Sequence, residues 1–207
     1  MSQPTTQIAH VTVDRIELRG HDLINDLLGR YTYTEITFFL LRHRFPTPEE
    51  TRALDACLVT LVEHGLTPSA LITRLAINSV PDEVQVAMAA GLSTVGNVFA
   101  GTMEGCARLL QAGVASAEPS ADYCRRIVRE HRERRQPIPG FGHAIHKPDD
   151  PRTPRLLAIA RECGVAGRHV QLLLELSAEV DRAYARHLTI NATGMIGAIL
   201  LEMGFEP

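Results

Sequence analysis

Apolar positions recur at intervals of three and four along most of the chain, which predicts a helical protein. The clearest case is TPEETRALDACLVTLVEHG, where Leu54, Leu58, Leu61 and Val62 share one face. Thr47 can cap this helix, Pro48 suits its first turn, Glu50 completes a capping box and Gly65 offers a left-handed stop. The pattern therefore predicts one helix over 47–65. TYTEITFFLLRHR (32–44) has the same period and ends before Phe45-Pro46, and SALITRLAIN (69–78) predicts a shorter helix. The run PDEVQVAMAAGLSTVGNVFAGTMEGCARLLQAG is rich in Ala, Gly and Thr, so its helices can pack backbone near backbone. Ser120 is placed to cap ADYCRRIVREHRERR, and TPRLLAIARECG, GRHVQLLLELSAEVDRAYAR and TGMIGAILLEMG complete the helical set. Residues 1–10 are polar and predict disorder, while IAHVTVDRIELRG alternates enough for a short strand or extended arm. No repeat of roughly 20–50 residues appears. The fold class is all-α, with a short extended N-terminal arm.

Length and charge narrow the function classes. A chain of 207 residues, 45% hydrophobic and 22% charged, suits one globular domain over 1–207. A net charge of −3 supplies no global basic field, which excludes nucleic acid as the expected partner. Arginines 125, 126, 129, 132, 134 and 135 lie all round one helix and are diluted by Glu130 and Glu133. They read as a solvated face, or else as a surface drawing a polyanion to the loop that follows. Cys57, Cys106, Cys124 and Cys163 form no CxxC pair and sit in apolar stretches, so buried thiols in a reducing compartment are expected. No His, Cys and acid cluster has ligand spacing, and no metal is implied. The N-terminus shows neither a basic n-region nor an apolar h-region, and no apolar run reaches membrane length. A cytoplasmic protein is the expectation, with no membrane partner.

Chemistry concentrates in PIPGFGHAIHKPDDPRTPR, residues 137–155. Gly140 and Gly142 permit torsions and close approach that a Cβ would forbid, and backbone N–H groups in such a turn can hold an anion. His143 can donate to a developing oxyanion or exchange a proton. Arg152 can grip a carboxylate with two N–H groups, and Lys147 offers a point charge suited to phosphate. Asp149 and Asp150 are placed to hold those cations. On spacing alone, a polar surface turn explains the stretch equally well.

The segment PGFGHAIHKPDDPR resembles the PGFGH…K…DPR signature of the citrate synthase superfamily. That resemblance implies a citrate synthase-like helical fold in a short form, with 113–165 as a smaller coenzyme A-binding lobe. It implies that Gly140, Phe141, Gly142, Ala144 and Lys147 contact coenzyme A, that His143 meets the substrate, and that Arg152 clamps a carboxylate. Similarity continues through LRGHDLINDLL (18–28) and YTEITFFLLRHRFPTPEE. VEHGLTPSALITRLA resembles the segment carrying a catalytic histidine in the citryl-CoA lyase module of ATP-citrate lyase, and His64 falls on that histidine. GLSTVGNVFAGTMEG resembles the same module and puts Glu104 at its acidic position, while LTINATGMIGAILLEMGF matches its last conserved segment. Arg155 is the candidate for a second carboxylate contact, and Asn191 and Thr193 are expected to line the cleft or to cap the last helix.

Two departures stand out. The family aspartate that acts as base corresponds to Thr193, whose hydroxyl takes no proton near neutral pH. A histidine of the citrate synthases is also missing, with Glu104 the nearest ionisable group. The chain stops at Pro207, so the distal carboxylate-binding arginines of citrate synthases are not expected. The resemblance therefore implies a carbon–carbon lyase acting on citryl-CoA or a related 3-hydroxy-acyl-CoA, with His143, His64 and Glu104 catalytic and no tightly bound cofactor. The alternatives are a citrate synthase-type condensing acyltransferase, a non-catalytic binder of coenzyme A thioesters, and a purely structural helical oligomer. Rival readings attach to single residues. His64 suits a helix end stabilised by the dipole, Glu104 a surface acid, and His131, His146, His169 and His187 exposed or satisfied rings. A homodimer or a tetramer is expected from the small-residue segment 86–107 and from the relatives.

Overall fold

The computed structural model describes residues 6–96 and 100–207. The first five residues of the stretch expected to be disordered lie outside this range, and so does 97–99 of the small-residue run. The rest of the arm is ordered as a three-stranded antiparallel meander: β1 (Ala9–Val11), β2 (Ile16–Leu18) and β3 (His21–Asp22). Ala9 opposes Leu18 and Leu18 opposes His21. The β2–β3 hairpin turns on Arg19 and Gly20, both with positive φ, the backbone a two-residue turn requires. Asp22 then caps a π-helical turn, Leu23–Leu27, its carboxylate accepting the N–H groups of Ile24 and Asn25.

The remainder is helical, as expected: α1 (Tyr33–Arg42), α2 (Pro48–Thr60), α3 (Pro68–Ser79), α4 (Val84–Leu92), α5 (Thr102–Ala115), α6 (Ser120–Glu133), α7 (Arg152–Glu162), α8 (Arg168–Tyr184) and α9 (Ala192–Glu202). The Thr47–Glu50 capping box is present, but α2 stops at Thr60 and not at Gly65. Its buried face is Ala53, Leu54 and Cys57, whereas Leu58, Leu61 and Val62 face outward. Gly65 does take φ +68, in a turn that follows the helix and carries His64. Ser120 opens α6 without capping it, because Pro119 holds the cap position and the Ser120 hydroxyl serves Glu175 of α8.

The core gathers on α9, which packs against α2, α5, α7 and α8. Met195, Ile196 and Ile199 meet Leu110 of α5 and Leu173 and Leu176 of α8, all essentially without solvent contact. Each such side chain contributes about 1.5–3 kcal/mol by leaving water. Small residues set the helix spacing, as the sequence predicts. A Cβ on Gly197 would lie 2.9 Å from the Met103 carbonyl oxygen, and one on Gly91 would lie 2.8 Å from that of Ser69. The four cysteines are buried, and burial pushes the thiols of Cys57 and Cys106 up to about 12. Among the described residues, no helix is long and apolar enough to cross a membrane.

Candidate functional site

The glycine loop between α6 and α7 is held by the strand-like segment leading into α9. Gly142 N–H donates to the Thr189 carbonyl at 2.8 Å, and Asn191 N–H donates to the Gly140 carbonyl at 3.0 Å. Phe141 and Ile190 pair as an isolated antiparallel bridge between them. Gly140 (φ +87) and Gly194 lie back to back, each leaving no room for a Cβ on the other. The Asn191 side chain completes the seam. Its Nδ2 donates to the Gly142 carbonyl at 3.0 Å, and its Oδ1 caps α9 through Gly194 N–H.

This seam delivers His143 to a cavity of about 700 Å³ that His64, Arg152, Asn191 and Thr193 also line. Nδ1 of His143 receives the backbone N–H groups of Ile145 (3.1 Å) and His146 (3.0 Å). Those groups can only donate, so the proton of the neutral ring sits on Nε2. Nε2 of His143 lies 3.2 Å from Nε2 of His64. Burial lowers the His143 pKa, His146, His64 and Arg152 lower it further, and Asp150 partly offsets them. His143 is a neutral donor.

Arg152 begins α7 and is aimed by Asp150, which has no solvent contact. Its Nε and Nη2 donate to the two carboxylate oxygens at 2.9 and 2.8 Å, and Ala192 N–H adds a bond at 3.0 Å. Burial alone would raise the Asp150 carboxyl; the guanidinium and the N–H groups of Arg152 and Ala192 outweigh it and hold it at about 2. Nη1 of Arg152 then lies 3.3 Å from Nδ1 of His64, and Nη2 lies 3.5 Å from Nε2 of His143. Donors thus face both nitrogens of His64, while a neutral imidazole accepts at only one. One donor is left over. An oxygen anion seated among the three side chains would satisfy it, so the geometry fits a carboxylate or alkoxide.

His64, His143 and His146 place one nitrogen each within 4.8 Å of one another, spacing that a metal ion can use. Two features oppose it. The Nε2 of His143 carries a proton where a ligand needs a lone pair, and the Arg152 cation lies against both His64 and His143. The cluster suits an anion better than a cation.

The structure gathers His64, His143, Arg152, Asn191 and Thr193 from the expected site residues and leaves others apart. His64 sits on the turn after α2, so a helix-end dipole does not account for it. The Thr193 hydroxyl donates to Asn191 Oδ1 at 2.7 Å and meets the Thr102 hydroxyl at 3.0 Å. Glu104 is exposed on α5, paired with Arg108 at 2.8 Å, and lines a different, smaller depression near Phe205. Arg155 is exposed and faces Glu162 at 3.5 Å. Ala144 and Lys147 are exposed on the outer side of the loop, where Lys147, Arg186 and His146 border a depression of about 410 Å³. Phe141 is half-buried against the core.

Two residues that sequence reasoning missed belong to this region. The His146 ring lies 4.4 Å from that of His143. Glu63 is the one carboxylate lining the main cavity among the described residues, with Oε1 accepting Gly65 N–H at 2.6 Å. His146 follows His143 at a spacing of three in the same loop, and Glu63 adjoins His64. Neighbourhood was the available signal.

A family model described as citrate synthase, C-terminal domain, matches residues 33–207. The structure of citryl-CoA lyase from Hydrogenobacter thermophilus is 33% identical, with a TM-score of 0.89 over 99% of this chain and 78% of that one. ATP citrate lyase from Methanothrix soehngenii, solved with citrate and coenzyme A, shares the fold at 18% identity, with a TM-score of 0.83 over 98% of this chain and 32% of that one. Citrate synthase of Dictyostelium discoideum is 25% identical over 195 residues, 87% of this chain and 36% of the relative. The chain spans between 32% and 44% of the length of such curated relatives.

Proposed function

Because the chain belongs to the citrate synthase family, we propose that it is a carbon–carbon lyase cleaving citryl-CoA, or a related 3-hydroxy-acyl-CoA, to acetyl-CoA and a 2-oxo acid such as oxaloacetate. The observation that carries this reading is the surplus of N–H donors where His64, His143 and Arg152 converge. A tertiary alcohol flanked by carboxylates offers that surplus its missing acceptors. The likeness to a citryl-CoA lyase at 33% identity over nearly the whole chain supports the choice of reaction.

In this mechanism Arg152, held rigid by Asp150, binds a substrate carboxylate through its remaining N–H groups. His64 takes the hydroxyl proton, the bond between the carbinol carbon and the acyl methylene breaks, and its electron pair enters the thioester as an enolate. The carbinol carbon becomes the ketone of the 2-oxo acid. His143, a neutral donor, stabilises the oxyanion through Nε2–H, an effect worth roughly 10²–10³ in rate. The enolate carbon then takes up a proton, and Glu63 is the lining carboxyl group through which it can come. Glu104 and Arg155 receive no step, since neither lines this cavity. The same groups serve condensation in reverse.

The coenzyme A thioester is substrate, with no cofactor held permanently. Lys147 and Arg186 supply cations for its phosphates in a depression that Gly142 also lines, and Gly140, Phe141 and Ala144 are the adjoining loop residues of this coenzyme A contact. The protein works as a homodimer or a tetramer. Helix α3 buries none of its residues and exposes Leu71, Ile72 and Leu75, and α4 exposes Val84, Val86 and Met88, apolar side chains that a partner subunit would cover. Light scattering that finds a stable monomer at micromolar concentration would remove this assembly.

The test is to incubate the purified protein with citryl-CoA and follow acetyl-CoA and oxaloacetate. Turnover that disappears in His143→Ala is the expected result; none above background in the wild type would sink the lyase. One observation favours a second reading. The Thr193 hydroxyl is committed to Asn191, and the carboxylate at that helix end, Asp150, is committed to Arg152 and Ala192 N–H, so neither group there is free to act as a base. Coenzyme A binding without turnover would leave a thioester-binding protein.

A further inference from the structure

His187 lies outside the cavity, between two carboxylates from different parts of the chain. Its Nδ1 is 2.6 Å from Oδ2 of Asp181, near the end of α8, and its Nε2 is 2.9 Å from Oδ1 of Asp149, in the loop before α7. Asp181 is fixed independently, because its Oδ1 accepts Leu188 N–H at 2.9 Å. Two residues on, Thr189 binds the same loop twice, through Gly142 N–H to its carbonyl (2.8 Å) and Asp150 N–H to its hydroxyl (2.8 Å). The segment 187–189 therefore grips both ends of the loop that carries His143, His146 and Lys147. Of these grips, only the one through His187 depends on a proton.

We propose that His187 is a positioning residue: doubly protonated, it ties Asp149 to Asp181 and holds the 142–150 loop closed for a coenzyme A thioester. This rests on the lyase reading for its substrate. The imidazolium donates from both nitrogens; the neutral ring keeps one N–H and must turn a lone pair to one of the two carboxylates. Asp181 is anchored by backbone, so the Asp149 side lets go. The other basic groups around the same depression are Lys147, Arg186 and His146, and burial opposes a charge on His187, while Asp149 and Asp181 favour it. The direct hydrogen bonds to Asp181 and Asp149 win, and the His187 pKa is raised. As pH rises through that value the clasp opens and the KM for the thioester increases, with the chemical step untouched.

The first measurement needs no activity. Ring resonances of His187 in the intact protein should titrate above the ordinary histidine value, and Asp149→Asn should bring them back toward it. Titration at or below the ordinary value in the wild type would overturn the clasp whether or not the protein is a lyase. The second follows citryl-CoA kinetics. His187→Ala should raise KM about tenfold, the worth of a charge-assisted hydrogen bond, with kcat within about twofold. His187→Arg, whose planar fork donates at every pH, should restore KM and abolish its alkaline rise. A fall in kcat with KM unchanged, or an arginine variant no better than alanine, would refute the positioning role. Should His187→Ala not fold, Asp149→Asn is read in its place, with the same expected rise in KM. If the wild type shows no turnover, the lyase reading falls, and calorimetric affinity for coenzyme A itself across the same pH range replaces KM.

Discussion

Nε2 of His143 and Nε2 of His64 face each other at 3.2 Å across the cavity, although 79 residues separate them in the chain. The proton of His143 is placed by two backbone N–H groups behind it, so His64 is the acceptor of the pair. One ring donates and the other receives.

The two histidines should therefore behave as one unit. His143→Ala and His64→Ala are each expected to lower kcat by about 10²–10⁴, and the double variant should lose little more than the worse single one. A double variant whose loss equals the product of the two would mean that the rings act separately. The readout is single-turnover cleavage of citryl-CoA.

Protonating His143 would put a proton on Nδ1, against the N–H groups of Ile145 and His146. Burial lowers its pKa, and the neighbouring His146 lowers it further. Ring resonances of His143 should titrate below pH 6.5, the ordinary histidine value that His143 falls beneath. The matching contribution to stability is full above that value and is lost as pH falls through the lowered one. His146→Phe removes one depressing charge and should move that titration upward. A titration that stays put would exclude electrostatic coupling between these rings.

Asp150 makes the sharper prediction for stability. Its folded value of about 2 lies below the ordinary 3.8, so its contribution is complete above 3.8 and disappears as pH falls through 2. The difference corresponds to about 2 kcal/mol. Asp150→Asn leaves Arg152 unneutralised in a buried pair and should cost about 3–5 kcal/mol near neutral pH. It should also flatten stability over this acid range. Urea titrations at a series of pH values measure both effects.

Gly140 and Gly142 are two residues apart, and substitutions there should differ widely. A Cβ on Gly140 would meet Cys106 Sγ at 2.6 Å and Gly194 Cα at 3.1 Å, in addition to φ +87. Gly140→Ala should cost roughly 3 kcal/mol or more by parting the loop from α9. Gly142 has φ +80 with nothing within 4 Å, so Gly142→Ala should cost only the backbone term, about 1–2 kcal/mol. Equal thermal shifts would contradict the packing seen at Gly140.

Helix content, the capping box at Thr47, the buried cysteines and the residue types of the glycine loop were all readable along the chain. These features depend on neighbours within a turn or two, so local residue types specify them. The resemblance pointed to His64, His143 and Arg152, and the fold brings these three together. Glu104 and Arg155 were singled out with them, and the fold turns both outward to pair with Arg108 and Glu162. Helical period cannot say which side of a helix faces a particular partner.

Sequence by itself determined that this chain makes helices, that the small-residue run 81–113 can pack closely, and that one loop carries an imidazole among cations. The tertiary structure alone decided where α2 ends, that the arm closes into a meander, and that His146, His187 and Glu63 stand at or beside the site. The reason is physical. Capping, torsion and side-chain size act over a few bonds, whereas a proton on one ring is placed by backbone N–H groups behind it and used by a ring from a distant turn. Only packing against α9 brings those groups within hydrogen-bond reach.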